Sequence, residues 1–213
     1  MRAVIRPVPG AVVALSAVVA VMLTGCSSGK PTSAECQTVS AELADVPTRT
    51  DQEPKMRVPL PPGWERTTKM DNESIRFAIR NPALTVDGFT PNAVVTLQKV
   101  GLELGKPAQI LEAQNEQLTK KLKATDLSSN ATEVCGAPAL SSSYTAPEMK
   151  ISPNPKVPVV PSRKATSLGA VYKGDDANYV ATLTVQTIRP DDKTFAQDSQ
   201  TILKGFQLLP PKS

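Results

Sequence analysis

The stretch that decides the fold class is SLGAVYKGDDANYVATLTVQTIR, residues 167–189. Its arms, 167–173 and 179–189, contain many β-branched and aromatic residues, and the GDDAN between them supplies the Gly, Asp and Asn that tight turns favour. In the second arm, Tyr179, Ala181, Leu183 and Val185 share one face, and the polar residues Thr182, Thr184 and Gln186 alternate with them. This alternation places one set of side chains on a buried face, so the stretch predicts an antiparallel hairpin.

The segments that precede this hairpin have the same strand character. Residues 74–80 alternate apolar and polar side chains, and residues 93–100 form a second strand-like run. Residues 131–135 and 138–145 are expected to form another hairpin that turns at Gly136. Between these pairs a helix is predicted over 107–123, with Pro107 at its first position and leucines at helical spacing.

A further helix is predicted at the start of the mature chain. Ser33 could cap it, and Cys36, Val39 and Leu43 recur at the spacing of one helical face. It would continue to about Asp45, where the following proline would end it.

A last helix is predicted near the C-terminus. Asp191 or Asp192 would cap it, Phe195 and Ile202 belong to its apolar face, and Gly205 is suited to the position after its last turn. Three helices placed among clustered strands predict an α+β fold, in which helices pack on an antiparallel β-sheet.

The segment MRVPLPPGW, residues 56–64, contains three prolines. Val58 and Leu60 suit a short strand, and we expect an edge position because proline cannot donate to a central ladder. The PPG turn would then direct Trp64 inward. We interpret Trp64 as a core side chain in preference to a platform for a ligand.

Residues 147–161 contain five prolines with apolar residues between them. Proline at this density excludes a helix and favours extended backbone. The segment is interpreted as a rigid crossover loop, or as an apolar lip beside a binding groove. As a loop it is the preferred contact surface, and its candidate ligand-binding residues are Ile151, Val157, Val159 and Val160.

The N-terminal 25 residues have the layout of a secretory signal peptide: a basic head, an apolar run and small residues before a cysteine. The sequence LTGC, ending at Cys26, indicates the bacterial lipoprotein type, cleaved before Cys26 and anchored by acyl chains, such as palmitate, on that residue. The alternative is a transmembrane helix, but Pro7 and Pro9 shorten the run below the roughly 20 residues that a span needs. We therefore expect a signal peptide over 1–25, a lipidated tether over 26–33 and one domain over 34–213.

Lipidation of Cys26 leaves Cys36 and Cys135 as a pair. Thiols outside the cytoplasm tend to oxidise, so we expect a Cys36–Cys135 disulfide worth roughly 4–5 kcal/mol by loop closure. Two buried free thiols are the alternative. Since the chain has no histidine, two distant cysteines do not make a zinc site.

Charge and residue types exclude several classes of function. Loss of Arg2 and Arg6 with the signal peptide leaves 22 basic residues of the original 24 against 20 acidic ones, a net charge of +2 that gives no case for nucleic acid. The absence of histidine removes the usual general base. The acid pairs at 175–176 and 191–192 are explained by turn and cap chemistry in preference to calcium binding. We expect no enzyme, no metal and no cofactor.

Three features resemble the LpqN/LpqT family of mycobacterial lipoproteins: the LTGC motif, or lipobox, that ends at Cys26, the VPLPPGW segment, and the order of strands and helices. The resemblance covers about residues 56–209. It implies a Mog1p/PsbP-type fold and a secreted, membrane-anchored, non-enzymatic protein associated with envelope lipid assembly or with partner proteins. No ligand residue is carried over from the family.

Two functions are consistent with the chain. The first is a module at the extracytoplasmic face of the cell membrane that binds an envelope lipid or glycolipid. The second is a protein-interaction module, either an accessory to an envelope transporter or a ligand of a host protein. An interior tunnel lined by aliphatic residues would favour the first function, and a solid core the second. In both cases we expect a monomer held at the membrane by its lipid anchor.

Overall fold

Ten β-strands, two α-helices and two 3₁₀ turns follow one another in the part of the chain that the structure describes. This structure is a computed structural model, and it describes residues 35–150, 153–154 and 159–211. All of these residues belong to one compact unit, Ser33–Ser213. The expected signal peptide over 1–25, the lipidation site Cys26 and the tether over 26–33 lie outside the described residues.

The elements have the following bounds. Strands β1 to β10 span Glu42–Val46, Lys55–Leu60, Glu65–Arg66, Ile75–Arg80, Asn92–Val100, Thr125–Val134, Ala137–Ala146, Arg163–Lys173, Asn178–Thr187 and Gln207–Leu209. Helices α1 and α2 span Pro107–Lys120 and Lys193–Lys204, and the 3₁₀ turns occupy Pro82–Leu84 and Leu102–Leu104.

The strands form two antiparallel sheets. The large sheet has the order β3-β4-β5-β9-β8-β7-β6, and the small sheet has the order β1-β2-β10. The predicted hairpin of residues 167–189 is β8–β9, at the centre of the large sheet, where ten residue pairs join the two strands. The predicted hairpin turning at Gly136 is β6–β7, and its two turn residues Cys135 and Gly136 both have positive φ, as a two-residue turn requires.

The main core lies between one face of the large sheet and a layer made of the small sheet and α2. It joins Met56 and Val58 of β2, Leu183 of β9 and Phe195 and Ile202 of α2. Helix α1 covers part of the opposite face, where its Ile110 and Leu111 pack on Val171 and Val180. The predicted class, α+β with helices on an antiparallel sheet, is confirmed.

The register of the large sheet defines its two ends. One transverse row pairs Leu97, Ala181, Ala170 and Ala139 across β5, β9, β8 and β7. Beyond that row, in one direction, lie the Cys135–Gly136 turn, the β8–β9 turn, the Leu102–Leu104 turn and the loop before β4; we call this the disulfide end. In the other direction lie the last pair of β7 and β8, Ala146 and Arg163, and the loop between them; we call this the proline-rich end.

The helix predicted from Ser33 to Asp45 is wrong. Residues 35–39 have no regular structure and Glu42–Val46 is strand β1, paired with β2. A disulfide joins Cys36 to Cys135, and Ala44 and Val46 face the main core at strand spacing. Tertiary pairing therefore overrides the helical spacing of Cys36, Val39 and Leu43.

Strand β2 is the central strand of the small sheet, but Val58 and Leu60 pair only with β1, so the edge position predicted for these two residues holds locally. Its pairing with β10 involves only Lys55, Met56 and Arg57. Pro59 lies beyond that stretch and has a strand partner on one side only, opposite Leu43. A proline is therefore tolerated within an otherwise central strand.

Trp64 lies in the main core, as predicted, and its indole N–H donates to Asp198 Oδ2 of α2 at 2.8 Å. Helix α2 begins after the predicted cap Asp192, whose carboxylate accepts from the Phe195 N–H. Gly205 ends the helix with a negative φ of −91°, so it is not needed for a left-handed turn. A Cβ there would come within 2.4 Å of Val39 and 2.6 Å of Pro59, so glycine permits this close packing.

Candidate functional site

The proline-rich end contains the candidate contact residues that the sequence indicated. Val159 is 39% exposed and Val160 is partly buried, while Ile151 and Val157 lie outside the described residues. Val160 forms a two-way backbone bridge with Met149, with N–H···O distances of 2.9 Å. Met149 is itself 41% exposed. The base of the loop therefore presents two apolar side chains, Met149 and Val159, to solvent.

Arg163 holds the base of this loop closed. Its guanidinium donates to the carbonyl oxygens of Pro147 at 3.4 Å and Pro161 at 3.3 Å, one at each end of the loop. The Ser162 hydroxyl adds a bond to the Ala146 carbonyl. Prolines lack the N–H that a strand ladder would use, so a side-chain donor takes over the pairing of their carbonyls.

Arg163 also begins a row of polar side chains across the large sheet. Its Nε donates to Gln186 Oε1 at 2.6 Å, and Gln186 Nε2 donates to Asn92 Oδ1 at 2.8 Å. Burial lowers the pKa of the Arg163 guanidinium, and nearby Tyr144 opposes that shift. The row links β8, β9 and β5 by hydrogen bonds, so it fixes where the loop leaves the sheet.

A cavity of about 70 Å³ lies between α1 and the large sheet. Four of its eleven lining residues are Leu or Gly, and the other seven have hydroxyl or amide groups: Gln114, Asn115, Ser142, Tyr144, Ser167, Thr182 and Thr184. Several of these groups satisfy one another, as Gln114 donates to Thr182 at 2.8 Å and Ser142 donates to Asn115 at 2.8 Å. This space is about that of two water molecules, far below the roughly 300 Å³ at which small-molecule pockets begin.

The chemistry of this cavity is that of a satisfied polar network. Burial raises the pKa of the Tyr144 phenol, although the charge of Arg163 opposes that shift. Tyr144 is consequently held neutral, and its neighbours in the cavity are uncharged. The cavity offers neither a general base nor an activated nucleophile from these side chains.

The larger clefts are surface grooves. One of about 400 Å³ follows the β1–β2 connection and is lined by charged residues that include Asp45, Asp51, Glu53 and Arg57. Another of about 240 Å³ lies at the β8–β9 turn beside Asp175 and Asp176. Neither of these two grooves is the aliphatic tunnel that uptake of an acyl chain would need.

The disulfide end is held by two strong contacts. The Cys36–Cys135 disulfide ties the start of the domain to the β6–β7 turn. Across the sheet at the same end, Arg76 of β4 and Glu53 form a bidentate ion pair at 2.7 and 3.1 Å, with both side chains less than a tenth exposed. Burial alone would raise the pKa of Glu53, but hydrogen bonds from Arg76 and the Arg49 N–H, with the charges of both arginines, leave it below its usual value.

Exposed large apolar side chains in the described ranges occur only at the two ends. Met149 and Val159 lie at the proline-rich end. Leu102, 45% exposed, and Leu104, 55% exposed, lie on the 3₁₀ turn at the disulfide end, with Met70 in the loop before β4. The sequence analysis did not identify Leu102, Leu104, Met149 or Arg163. The sequence Leu-Glu-Leu just after a predicted strand could have indicated two apolar residues on a turn.

Two further features of the described residues bear on function. No group of three or more His, Cys, Asp or Glu side chains comes together there as metal ligands. Among the same residues, no helix is both long enough and apolar enough to cross a membrane.

Comparison with known proteins identifies the family to which this chain is similar. Residues 37–209 match the family model described as "Probable lipoprotein LpqN". No curated protein matches the chain by sequence at a significant level.

Solved structures share the fold at low identity. LpqN of Mycobacterium tuberculosis, described as involved in cell envelope biogenesis, is 17% identical with a TM-score of 0.60, covering 81% of this chain and 93% of that one. Cyanobacterial PsbP from Synechocystis is 16% identical with a TM-score of 0.48, covering 82% and 97%. The Saccharomyces cerevisiae Ran-binding protein Mog1p is 12% identical with a TM-score of 0.44, covering 80% and 97%.

Proposed function

The chain belongs to the LpqN family of probable lipoproteins, and on this premise we propose that it is a lipid-anchored, non-catalytic module of the cell envelope. Cys26 carries the acyl chains at the extracytoplasmic face of the cell membrane. The domain holds a partner protein of the envelope at its proline-rich end. The observation that carries the proposal is the exposed pair Met149 and Val159 on a loop base clasped by Arg163.

The shape of the proline-rich end supports contact with a protein. Val159 and Met149 are each about two-fifths exposed, and the Met149–Val160 bridge holds them on a fixed backbone. An apolar contact on a rigid loop loses little conformational entropy when a partner binds. Ile151 and Val157 extend the proposed surface as predictions from the sequence.

The contents of the α1 cavity support a non-catalytic role. Its polar groups are hydroxyls and amides, several of which are hydrogen-bonded to one another. The chain has no histidine, and the strongest buried pair, Glu53–Arg76, is an ion pair in which each group neutralises the other. Groups tied in this way stabilise the fold, and a proton-transfer site would need one of them free.

A lipid or glycolipid ligand is the second candidate. Met149 and Val159 could also cover part of an acyl chain lying on the surface, because contact with apolar groups is not specific to protein. The roughly 70 Å³ of the α1 cavity disfavours uptake of such a chain into the interior. The second candidate therefore takes the form of a surface contact.

Site-specific photo-crosslinking in cells tests the proposal. A photo-reactive amino acid replaces Val159 in the full lipoprotein, and a matched variant carries it at Glu116, an exposed position on α1. We expect a discrete protein adduct from position 159 and none from position 116. The added substitution Met149→Asp should remove the adduct while leaving the amount of folded protein unchanged.

A native mass spectrum of the purified protein separates the two candidates. If the spectrum shows the protein bound to a lipid with no partner protein, and Met149→Asp abolishes that complex, the result would contradict the partner-protein proposal and support the second candidate. Equal crosslinking at positions 116 and 159 would also contradict the partner-protein proposal, because it would mean that other proteins contact the domain at random and not at the proline-rich end.

A further inference from the structure

The disulfide end carries apolar side chains that the packing of the domain does not use. Leu102 and Leu104 are the most exposed large apolar residues in the described part of the chain, and they flank Glu103 on one 3₁₀ turn. Met70, 37% exposed, lies in the loop before β4 at the same end. Three apolar side chains therefore project from one end of the large sheet.

The disulfide places the attachment point of the tether at that same end. Cys36 is joined to Cys135, one of the two residues of the β6–β7 turn. The Leu102–Leu104 turn follows β5, which lies three strand spacings, or about 15 Å, from β7 in the large sheet, so the two turns share one end of that sheet. Cys36, the residue to which the tether leads, is therefore held at the same end of the large sheet as the exposed leucines.

The length of the tether limits how the domain can face the membrane. The ten residues from Cys26 to Cys36 reach at most about 35 Å when fully extended, and a chain of that length in a coil spans about 17 Å. The eleven-residue strand β8 is itself about 37 Å long. To bring the proline-rich end to the bilayer, the tether would have to run fully extended along the whole sheet, so the disulfide end is the one the anchor holds close.

The charges at the disulfide end do not form a basic patch. Its lysines are accompanied by at least as many acids; the charged residues on its turns and strand ends are Lys69, Asp71, Glu73, Lys99, Glu103, Lys106, Glu133, Lys173, Asp175 and Asp176. Such a mixed surface is not drawn to anionic lipids by its net charge. Contact with a bilayer here would depend on the apolar side chains.

We infer that Leu102, Leu104 and Met70 form a membrane-contact surface that orients the anchored domain, with its disulfide end on the bilayer and its proline-rich end directed away. The inference rests on the lipid anchor of the proposed function. Three partly exposed side chains do not bind a bilayer strongly by themselves. The anchor keeps them at a high effective concentration next to the surface, so a modest preference is enough to set the orientation.

Depth-dependent fluorescence quenching tests this orientation in the full lipoprotein. An environment-sensitive fluorophore is attached to Leu104→Cys or to Val159→Cys, another exposed apolar position, which lies at the opposite end. Each protein is reconstituted on phosphatidylcholine vesicles that contain phosphatidylcholine with a nitroxide on its headgroup. We expect several-fold stronger quenching at position 104 than at position 159, little changed by added salt, and a loss of that difference when Leu102→Asp and Met70→Asp are introduced.

The outcomes separate this inference from the proposed anchor. Equal quenching at the two positions, or stronger quenching at 159, would overturn the membrane-contact surface while co-flotation with vesicles still supported the anchor. Failure of the wild-type lipoprotein to float with vesicles would overturn both. A Cys26→Ser variant that still floats would contradict the anchor alone, and the difference between positions 104 and 159 would then support the contact surface directly.

Discussion

The two ends of the large sheet are held together by different kinds of interaction. At the disulfide end, a covalent bond between Cys36 and Cys135 and the buried Glu53–Arg76 pair join segments that are distant in sequence. At the proline-rich end, the described residues close the loop through hydrogen bonds alone: two from the Arg163 guanidinium, each longer than 3.2 Å, one from Ser162 and the two of the Met149–Val160 bridge. The disulfide end is therefore the strongly fixed one.

This difference matches the roles proposed for the two ends. An end that receives the tether transmits any pull from the membrane anchor, so cross-links between distant segments are useful there. An end that meets a partner benefits from a contact surface on an ordered loop base, which the Met149–Val160 bridge provides. Variants that change one end at a time test whether the two ends differ in this way.

Removal of the disulfide should have the largest effect. The variant Cys36→Ser/Cys135→Ser lacks a cross-link spanning 99 residues, and the loop-entropy model predicts a loss of about 4–5 kcal/mol in the free energy of unfolding. Urea unfolding followed by Trp64 fluorescence measures this change. A loss below about 1 kcal/mol would mean that the disulfide end does not depend on its covalent tie.

Glu53→Gln should destabilise the protein nearly as much, by about 3–5 kcal/mol, because it leaves Arg76 buried without a counter-charge. The matched control is Glu65→Gln, which removes another carboxylate paired with an arginine of β4, here Arg80. Both partners in that pair are exposed, so the control should cost at most about 1 kcal/mol. Equal losses in the two variants, measured by urea unfolding, would contradict a special role for the buried pair.

Arg163→Gln should affect the proline-rich end, with a smaller global loss of about 1–3 kcal/mol from unsatisfied, partly buried carbonyls. Its clearer signature should be faster proteolytic cleavage within residues 147–161, mapped by mass spectrometry. The neighbouring Lys164→Gln changes an exposed lysine and serves as the control. If cleavage of the two variants is equally fast, Arg163 does not clasp the loop.

Acid should weaken the disulfide end through Glu53, with the smallest expected change. The pKa of Glu53 is lower in the folded state than its ordinary value of 4.5, so the unfolded chain binds more protons in this range. The stability due to Glu53 is thus complete above about pH 4.5 and is lost as the pH falls through the folded pKa. Unfolding free energies measured across this range should fall less steeply for Glu53→Gln than for the unmodified protein, and parallel curves would exclude Glu53 as a source of the slope.

Much of the large sheet could be predicted from residue patterns. The alternation from Tyr179 to Gln186 identified β9 and its buried face, and the apolar spacing after Pro107 identified α1. In each case the periodicity is local, so the sequence of that segment alone indicates which face is buried. Contacts between distant segments have no local pattern of this kind. No local feature of the sequence indicated that β5 pairs with β9, or that Glu53 forms an ion pair with Arg76.

The first segment shows why some local signals mislead. Cys36, Val39 and Leu43 have helical spacing, but Cys36 is bound to Cys135 and the chain pairs with β2 three residues after Val39. At the candidate contact surface, the proline-rich composition indicated Val159 and Val160, and their role in contact stays a prediction. Met149 and Arg163 were not indicated, because their roles depend on the bridge and the clasp formed on folding.

By itself, the sequence determined the fold class, the central hairpin and the family, because alternation, turn residues and the lipobox are short-range features of the chain. The tertiary structure alone decided which strands neighbour one another, the interior position of β2, and the place of the disulfide at one end of the large sheet. Those outcomes depend on contacts between segments far apart in the chain, where pairing and burial outweigh local preference. They place the disulfide and the buried Glu53–Arg76 pair at one end of the large sheet and the proline-rich loop at the other.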